Sequence, residues 1–192
     1  MRLSKKTAAE ARFTQLRVAV LDTQAESREQ LVSAVASVGI EVCVEGPLRP
    51  NIVVLVHQTV CDAALVGMHD PAGPPIRLAP DIKCPLVLCS ENTGPDMVIG
   101  AHKMGAIAFL VKPIRREQIV PTLTLATSIF REGQLLRRKL AERKTIEQAK
   151  GRVMERGGMT DDAAFRWLRR RAMDTRTRIA DVARDVLSEQ VD

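Results

Sequence analysis

The sequence predicts an α/β front domain, a doubly wound parallel sheet of five strands, followed by an all-α tail. Three observations carry this. Short apolar runs alternate with helix-like stretches over the first two thirds of the chain, the pattern of strands joined by right-handed crossovers. From Arg116 onward apolar residues recur at spacings of three and four, with no strand-like run between them. Charge is also unevenly divided. Residues 1–130 hold 13 Lys and Arg against 12 Asp and Glu, whereas residues 131–192 hold 16 against 11. A near-neutral module joined to a basic one is the pattern of a protein that seeks a polyanion, and equally of a solvated helical surface.

The elements follow in order. Leu16–Leu21 is a short apolar run ending at Asp22, as buried parallel strands do. Ser27–Val38 places Leu31, Val32, Val35 and Val38 on one helical face and is closed by Gly39. Ile40–Val44, Asn51–Val56 and Pro85–Cys89 read as the second, third and fourth strands. Met97–Met104 is a helix stopped by Gly105, and Ala106–Val111 is the fifth strand, ending at Lys112-Pro113. Only Glu45–Pro50 separates the second strand from the third, too short for a helical crossover of about a dozen residues. The stretch Asp70–Pro80, with four prolines and Gly73, predicts an irregular loop.

The helix beginning near Arg116 carries Pro121 in about its first turn and a seam of Ile119, Leu123, Ala126, Phe130, Gly133, Leu136 and Leu140. Past Phe130 such a helix leaves its own domain. Leu123, Phe130, Leu136 and Leu140 are therefore expected to pair with the same segment of a second chain; the alternative is a lone helix folded back onto the sheet. Ile146–Arg156 ends at Gly157-Gly158. Thr160 then caps a helix with Asp161 and Asp162 in its first turn. Ala164, Trp167, Leu168 and Ala172 point inward, so Trp167 is assigned to the core and not to base stacking. A last helix, about Arg178–Leu187, buries Ile179, Val182, Ala183 and Val186. The organisation is thus a front domain over 14–117, a helical coiled-coil stalk over 118–145 and a three-helix bundle over 146–190.

Several function classes are excluded. Cys43, Cys61, Cys84 and Cys89 form no CxxC pair and no ligand spacing with His57, His69 or His102, so reduced thiols and no structural metal are expected. No secretory leader or membrane span is expected, which places the chain in the cytoplasm. There is no Gly-rich phosphate loop, nucleophile–base set or paired catalytic carboxylates, so neither an enzyme nor a cofactor is expected.

Two stretches resemble known families. Ile146–Met154, with its Ala-Lys-Gly element, then Gly158–Ala164, Trp167–Met173 and Arg178–Ala183 resemble the ANTAR domain, the RNA-binding module of the amidase and nitrate antitermination regulators. The resemblance implies a dimer that holds paired stem-loops of a nascent leader transcript and so prevents a competing terminator hairpin. Cations are then needed for phosphates. Lys150, Arg152, Arg169, Arg170, Arg176 and Arg178 are the candidates.

The front domain resembles a response-regulator receiver of the flavodoxin-like fold. Working receivers hold Mg²⁺ with acids after the first strand, a nucleophilic aspartate at the end of the third, a Ser or Thr after the fourth and Lys-Pro after the fifth. Here Asp22, Ser90 and Lys112 remain, the adjoining acid positions are Thr23 and Gln24, and the phosphoacceptor position is read as Val56. His57, Asp62 and Asp81 do not replace it. The pattern resembles pseudo-receivers controlled by a ligand-sensing partner protein instead of by phosphate. The competing functions are a DNA-binding and a protein-binding response regulator.

Overall fold

A computed structural model describes residues 16–70 and 82–188. Strands β1 (Arg17–Leu21), β2 (Glu41–Gly46), β3 (Ala63–Gly67), β4 (Leu86–Ser90) and β5 (Ala106–Val111) form one parallel sheet in the order β2-β1-β3-β4-β5. Helices α1 (Ala25–Ala36), α2 (Pro50–Gln58) and α3 (Pro95–Lys103) alternate with the strands; α4 (Arg116–Gly157), α5 (Asp161–Asp174) and α6 (Ile179–Ser188) follow. The chain divides into two compact units, Met1–Arg131 and Glu132–Asp192. Because α4 is unbroken, the divisions drawn at 117 and 145 fall within one helix.

Period-two alternation gives the sheet two buried faces. Ala19 and Leu21 of β1, with Val66 and Leu88, pack under Val56, Met97 and Ala101 from α2 and α3. Val18, Val20, Leu65 and Val87 pack under Leu31 and Val35 of α1 and Ile119, Leu123 and Ala126 of α4. Leu123 is therefore fully buried in its own unit, which removes it from the expected dimer seam. Pro121 lies in the second turn of α4, since the helix already begins at Arg116.

The third strand is the main correction. Asn51–Val56 lies in α2, and the strand is Ala63–Gly67. A run such as Ile-Val-Val-Leu-Val fits either state by pattern alone. Two facts decide for helix. Pro50 occupies the first helical turn, after an extended Arg49, where its missing N–H is harmless. Parallel β2 and β3 also lie on either side of β1, so a crossover must connect them, and α2 is that crossover. His57 likewise lies in this helix and not beside a strand end. The proline-rich stretch from 71 to 81, including Asp81, lies outside the described residues.

The second unit packs Ala149 and Val153 of α4 against Ala164, Leu168 and Ala172 of α5 and Val182, Ala183 and Val186 of α6. Thr160 Oγ1 accepts from the Ala163 N–H and caps α5 as expected. At its other end α5 closes in a Schellman turn: Thr177 N–H donates to Ala172 O and Arg176 N–H to Met173 O. The left-handed position of that turn (φ 53°) is taken by Arg176, where glycine is usual.

Candidate functional site

In a sheet of order 2-1-3-4-5 the crevice beside the carboxyl ends of β1 and β3 is the natural site. Asp22 follows β1, Gly67 ends β3, Ser90 ends β4 and Lys112 follows β5, so all four converge there. Asp22 is fully buried. Its Oδ1 accepts from the Gln24 N–H at 2.9 Å and lies 2.8 Å from His69 Nε2. Its Oδ2 accepts from Ser27 Oγ at 2.6 Å and Lys112 Nζ at 2.9 Å. Lys112 Nζ also donates to Ser27 Oγ at 2.5 Å. Burial alone would push the Asp22 carboxyl up; hydrogen bonds from Ser27, Lys112, the Gln24 N–H and His69 outweigh it and hold the group below its ordinary value.

The end of β3 is the phosphoacceptor position of a receiver, and here it is Gly67, not Val56. Val56 is buried in α2. A Cβ on Gly67 would lie 1.8 Å from Asp22 Oδ2. The Asp22 carboxylate thus occupies the space a side chain at 67 would need. A carboxylate has about four acceptor sites, and four donors already fill those of Asp22. The acids that hold Mg²⁺ in a receiver are reduced here to this one saturated group, so the residues do not fit the ion. Among the described residues no cluster of His, Cys, Asp and Glu is placed to hold a metal. Ser90 is likewise engaged, its Oγ accepting from the Asn92 N–H and its carbonyl from the Lys112 N–H. Asp62 stands before β3, bonded to the Arg17 N–H and paired with Arg131.

The second unit sorts its cations into held and free. Lys150 is only 9% exposed. Its ammonium lies 2.7 Å from Asp161 and 3.0 Å from Glu147, contacts that raise its pKa, and so it ties α4 to the first turn of α5. Arg178 is paired with Asp181 and Glu142, and Glu142 also holds Arg138. In contrast, Arg152, Arg169, Arg170 and Arg176 form no ion pair among the described residues, and the last three are exposed. Arg169 and Arg170, with Arg166, line a groove of about 440 Å³ together with Met159, Ala163, Trp167 and Met173. Trp167 is half-buried: it packs against the core and also lines the groove.

Comparison with known proteins accounts for both units. The ANTAR domain profile matches residues 134–187. Transcriptional regulatory protein PdtaR of Mycobacterium tuberculosis, in strains CDC 1551 and H37Rv, is 32% identical over 182 residues, covering 89% of either chain. The chain belongs to this family of ANTAR-type transcriptional regulators. Its front unit is similar to solved receiver domains. That of the response regulator NarL from Mycobacterium tuberculosis is 24% identical with a TM-score of 0.50, covering 59% of this chain and 97% of that one. That of a modulated diguanylate cyclase from Desulfovibrio desulfuricans G20 is 15% identical with a TM-score of 0.54, covering 62% and 98%. At such identities the likeness is one of fold.

Within this ANTAR-type regulator, the receiver remnants Asp22, Ser90 and Lys112 are brought together, and the RNA candidates fall into three groups: Arg169 with Arg170 at the groove, Lys150 with Arg178 in ion pairs of the second unit, and Arg152 with Arg176 in neither. Sequence reasoning missed His69, Ser27 and Gly67. A usable signal was present: Asp62-Ala-Ala-Leu-Val-Gly67 is an apolar run ending on the one residue without a side chain. It was masked by the more β-branched run before it. No helix among the described residues is long and apolar enough to cross a membrane.

Proposed function

We propose that this ANTAR-type regulator is a transcription antiterminator: as a homodimer it binds paired stem-loops of nascent leader RNA through its tail and keeps the terminator hairpin from forming. The observation that carries this reading is the row of guanidiniums at Arg166, Arg169 and Arg170, in no ion pair among the described residues, on a unit that matches the ANTAR domain. Arg offers planar donors to phosphate and a flat cation to an exposed base. Its action is binding, not catalysis, and it belongs in the cytoplasm, where transcripts are made.

Replacing both Arg169 and Arg170 with glutamine should weaken leader stem-loop binding by about ten- to a hundredfold at low salt and flatten the salt dependence by about one to two units of log–log slope. Gel-shift titrations across a salt series measure both quantities. Unchanged affinity and slope would take these residues out of the interface. Duplex DNA bound as tightly as leader RNA would instead favour a DNA-binding regulator.

Control is assigned to a partner protein, such as a ligand sensor, and not to phosphorylation. Gly67 has no nucleophilic atom, and Asp22 is neutralised internally by Lys112. Radiolabelled acetyl phosphate should accordingly leave no label on the chain. A labelled residue at the carboxyl ends of the strands would overturn this assignment.

A further inference from the structure

We propose that the groove on α5 is a slot for one unstacked RNA base, held against the Trp167 indole and the Met159 and Met173 thioethers, with Arg166, Arg169 and Arg170 on the phosphates beside it. This rests on the RNA-binding reading and locates the point at which a loop nucleotide is gripped. Four observations converge.

The groove, at about 440 Å³, falls in the range of about 300–1,000 Å³ found for small-ligand clefts. Its lining combines an indole with two polarisable thioethers, surfaces suited to a flat heterocycle. It is also lined by three guanidiniums that form no ion pair among the described residues, so an occupant carrying negative charge is favoured. A base joined to its own phosphates meets both demands at once, and base–aromatic stacking is the usual means of holding unstacked nucleotides.

The local chain builds the lining on purpose-suited residues. Gly158 turns the chain with φ +59°, and a Cβ on Gly157 would meet Met159 Cε at 2.7 Å; the two glycines give Met159 its place. Spacings of three and four put Arg166, Trp167, Arg170 and Met173 on one stripe of α5, beside the buried stripe of Ala164, Leu168 and Ala172. The Arg171 guanidinium lies 5.3 Å from the Trp167 ring centroid but does not line the groove.

Trp167 is the one tryptophan of the chain, so its fluorescence reads the slot directly. The full-length protein is titrated at low ionic strength with a hairpin RNA carrying an unpaired purine loop, with the same hairpin made abasic in the loop, and with polyglutamate. The intact loop should quench Trp167 strongly. The abasic loop should bind at least about tenfold more weakly and leave the emission unchanged, as expected for a lost stack. Met173→Ala, a neutral change at an exposed position (68%), should weaken the intact loop and spare the abasic one.

Equal affinity for intact and abasic loops would show phosphate contact alone, overturning the slot while leaving RNA binding in place. Quenching by polyglutamate equal to that by RNA would assign the groove to an acidic protein. Emission that follows protein concentration and ignores RNA would assign it to a second copy. No binding of either hairpin would remove the RNA reading and the slot together.

Discussion

Asp22→Ala should destabilise the sheet unit by about 3–5 kcal/mol, the usual cost of stripping a buried ion pair of one partner. The variant leaves the Lys112 ammonium, whose side chain is 7% exposed, with Ser27 Oγ as its remaining partner at the strand ends. Adding Lys112→Met should recover much of the loss, because the unpaired charge is then gone. Denaturant melts of the wild type, the single variant and the double variant measure all three quantities. A single variant within 1 kcal/mol of wild type, an outcome expected only of an exposed pair, would mean that the network is ornamental. The same pair sets an acid limit. The folded Asp22 pKa lies below its ordinary value of 3.8, so the folded state binds the proton less readily than the unfolded one. The stabilisation is fully present above that ordinary value and is lost as pH falls through the lower folded value. The wild type should show this acid-dependent loss at Asp22, and the alanine variant should lack it.

Leu136→Asp with Leu140→Asp should convert the regulator to a monomer and cost up to about a hundredfold in affinity for an RNA carrying two hairpins, with single-hairpin affinity nearly unchanged, since linked binding is what the variant loses. Leu136 and Leu140 are 59% and 70% exposed on α4, and Leu135 is exposed beside them. Such residues on one helix are apolar surface in search of cover. Gly133 adds to the argument. A Cβ there would meet nothing within 4 Å, yet glycine inside a helix costs about 0.5–1 kcal/mol relative to alanine. In the proposed homodimer, close approach of a second helix would give that glycine a reason. Sedimentation and circular dichroism distinguish dissociation from unfolding. A variant that stays dimeric, or that antiterminates at full strength as a monomer, would refute the seam. Leu123 takes no part, for its side chain is spent on the sheet.

Helix ends and strand ends with local chemical punctuation are legible in the chain. Gly39 and Gly105 both take positive φ after their helices, and Thr160 caps α5. These depend on neighbours a few residues away, so a linear reading suffices. The α/β front, the helical tail and the ANTAR resemblance follow from the same kind of local pattern. Residues 51–67 show where that reasoning stops. Two apolar runs compete for one central strand, and the more β-branched run is the helix, because β2 and β3 are not neighbours and a crossover must span β1. The small, weakly β-prone Ala-Ala-Leu-Val-Gly becomes the strand because it is buried on both faces.

The side-chain chemistry divides in the same way. That Lys150, Arg169, Arg170 and Arg178 are cations is plain in the letters; which of them are spent inside the protein is not. Lys150 is paired with Asp161 from the next helix and Arg178 with Glu142, 36 residues away, whereas Arg169 and Arg170 form no ion pair among the described residues. Likewise Asp22 is recognisable as a relic, but its saturation depends on His69 and Lys112, which are 47 and 90 residues distant. Local patterning thus suffices for the kind of element and the kind of charge. Whether a given charge is neutralised, and whether a given face is covered, depends on partners that only folding brings within a few ångströms.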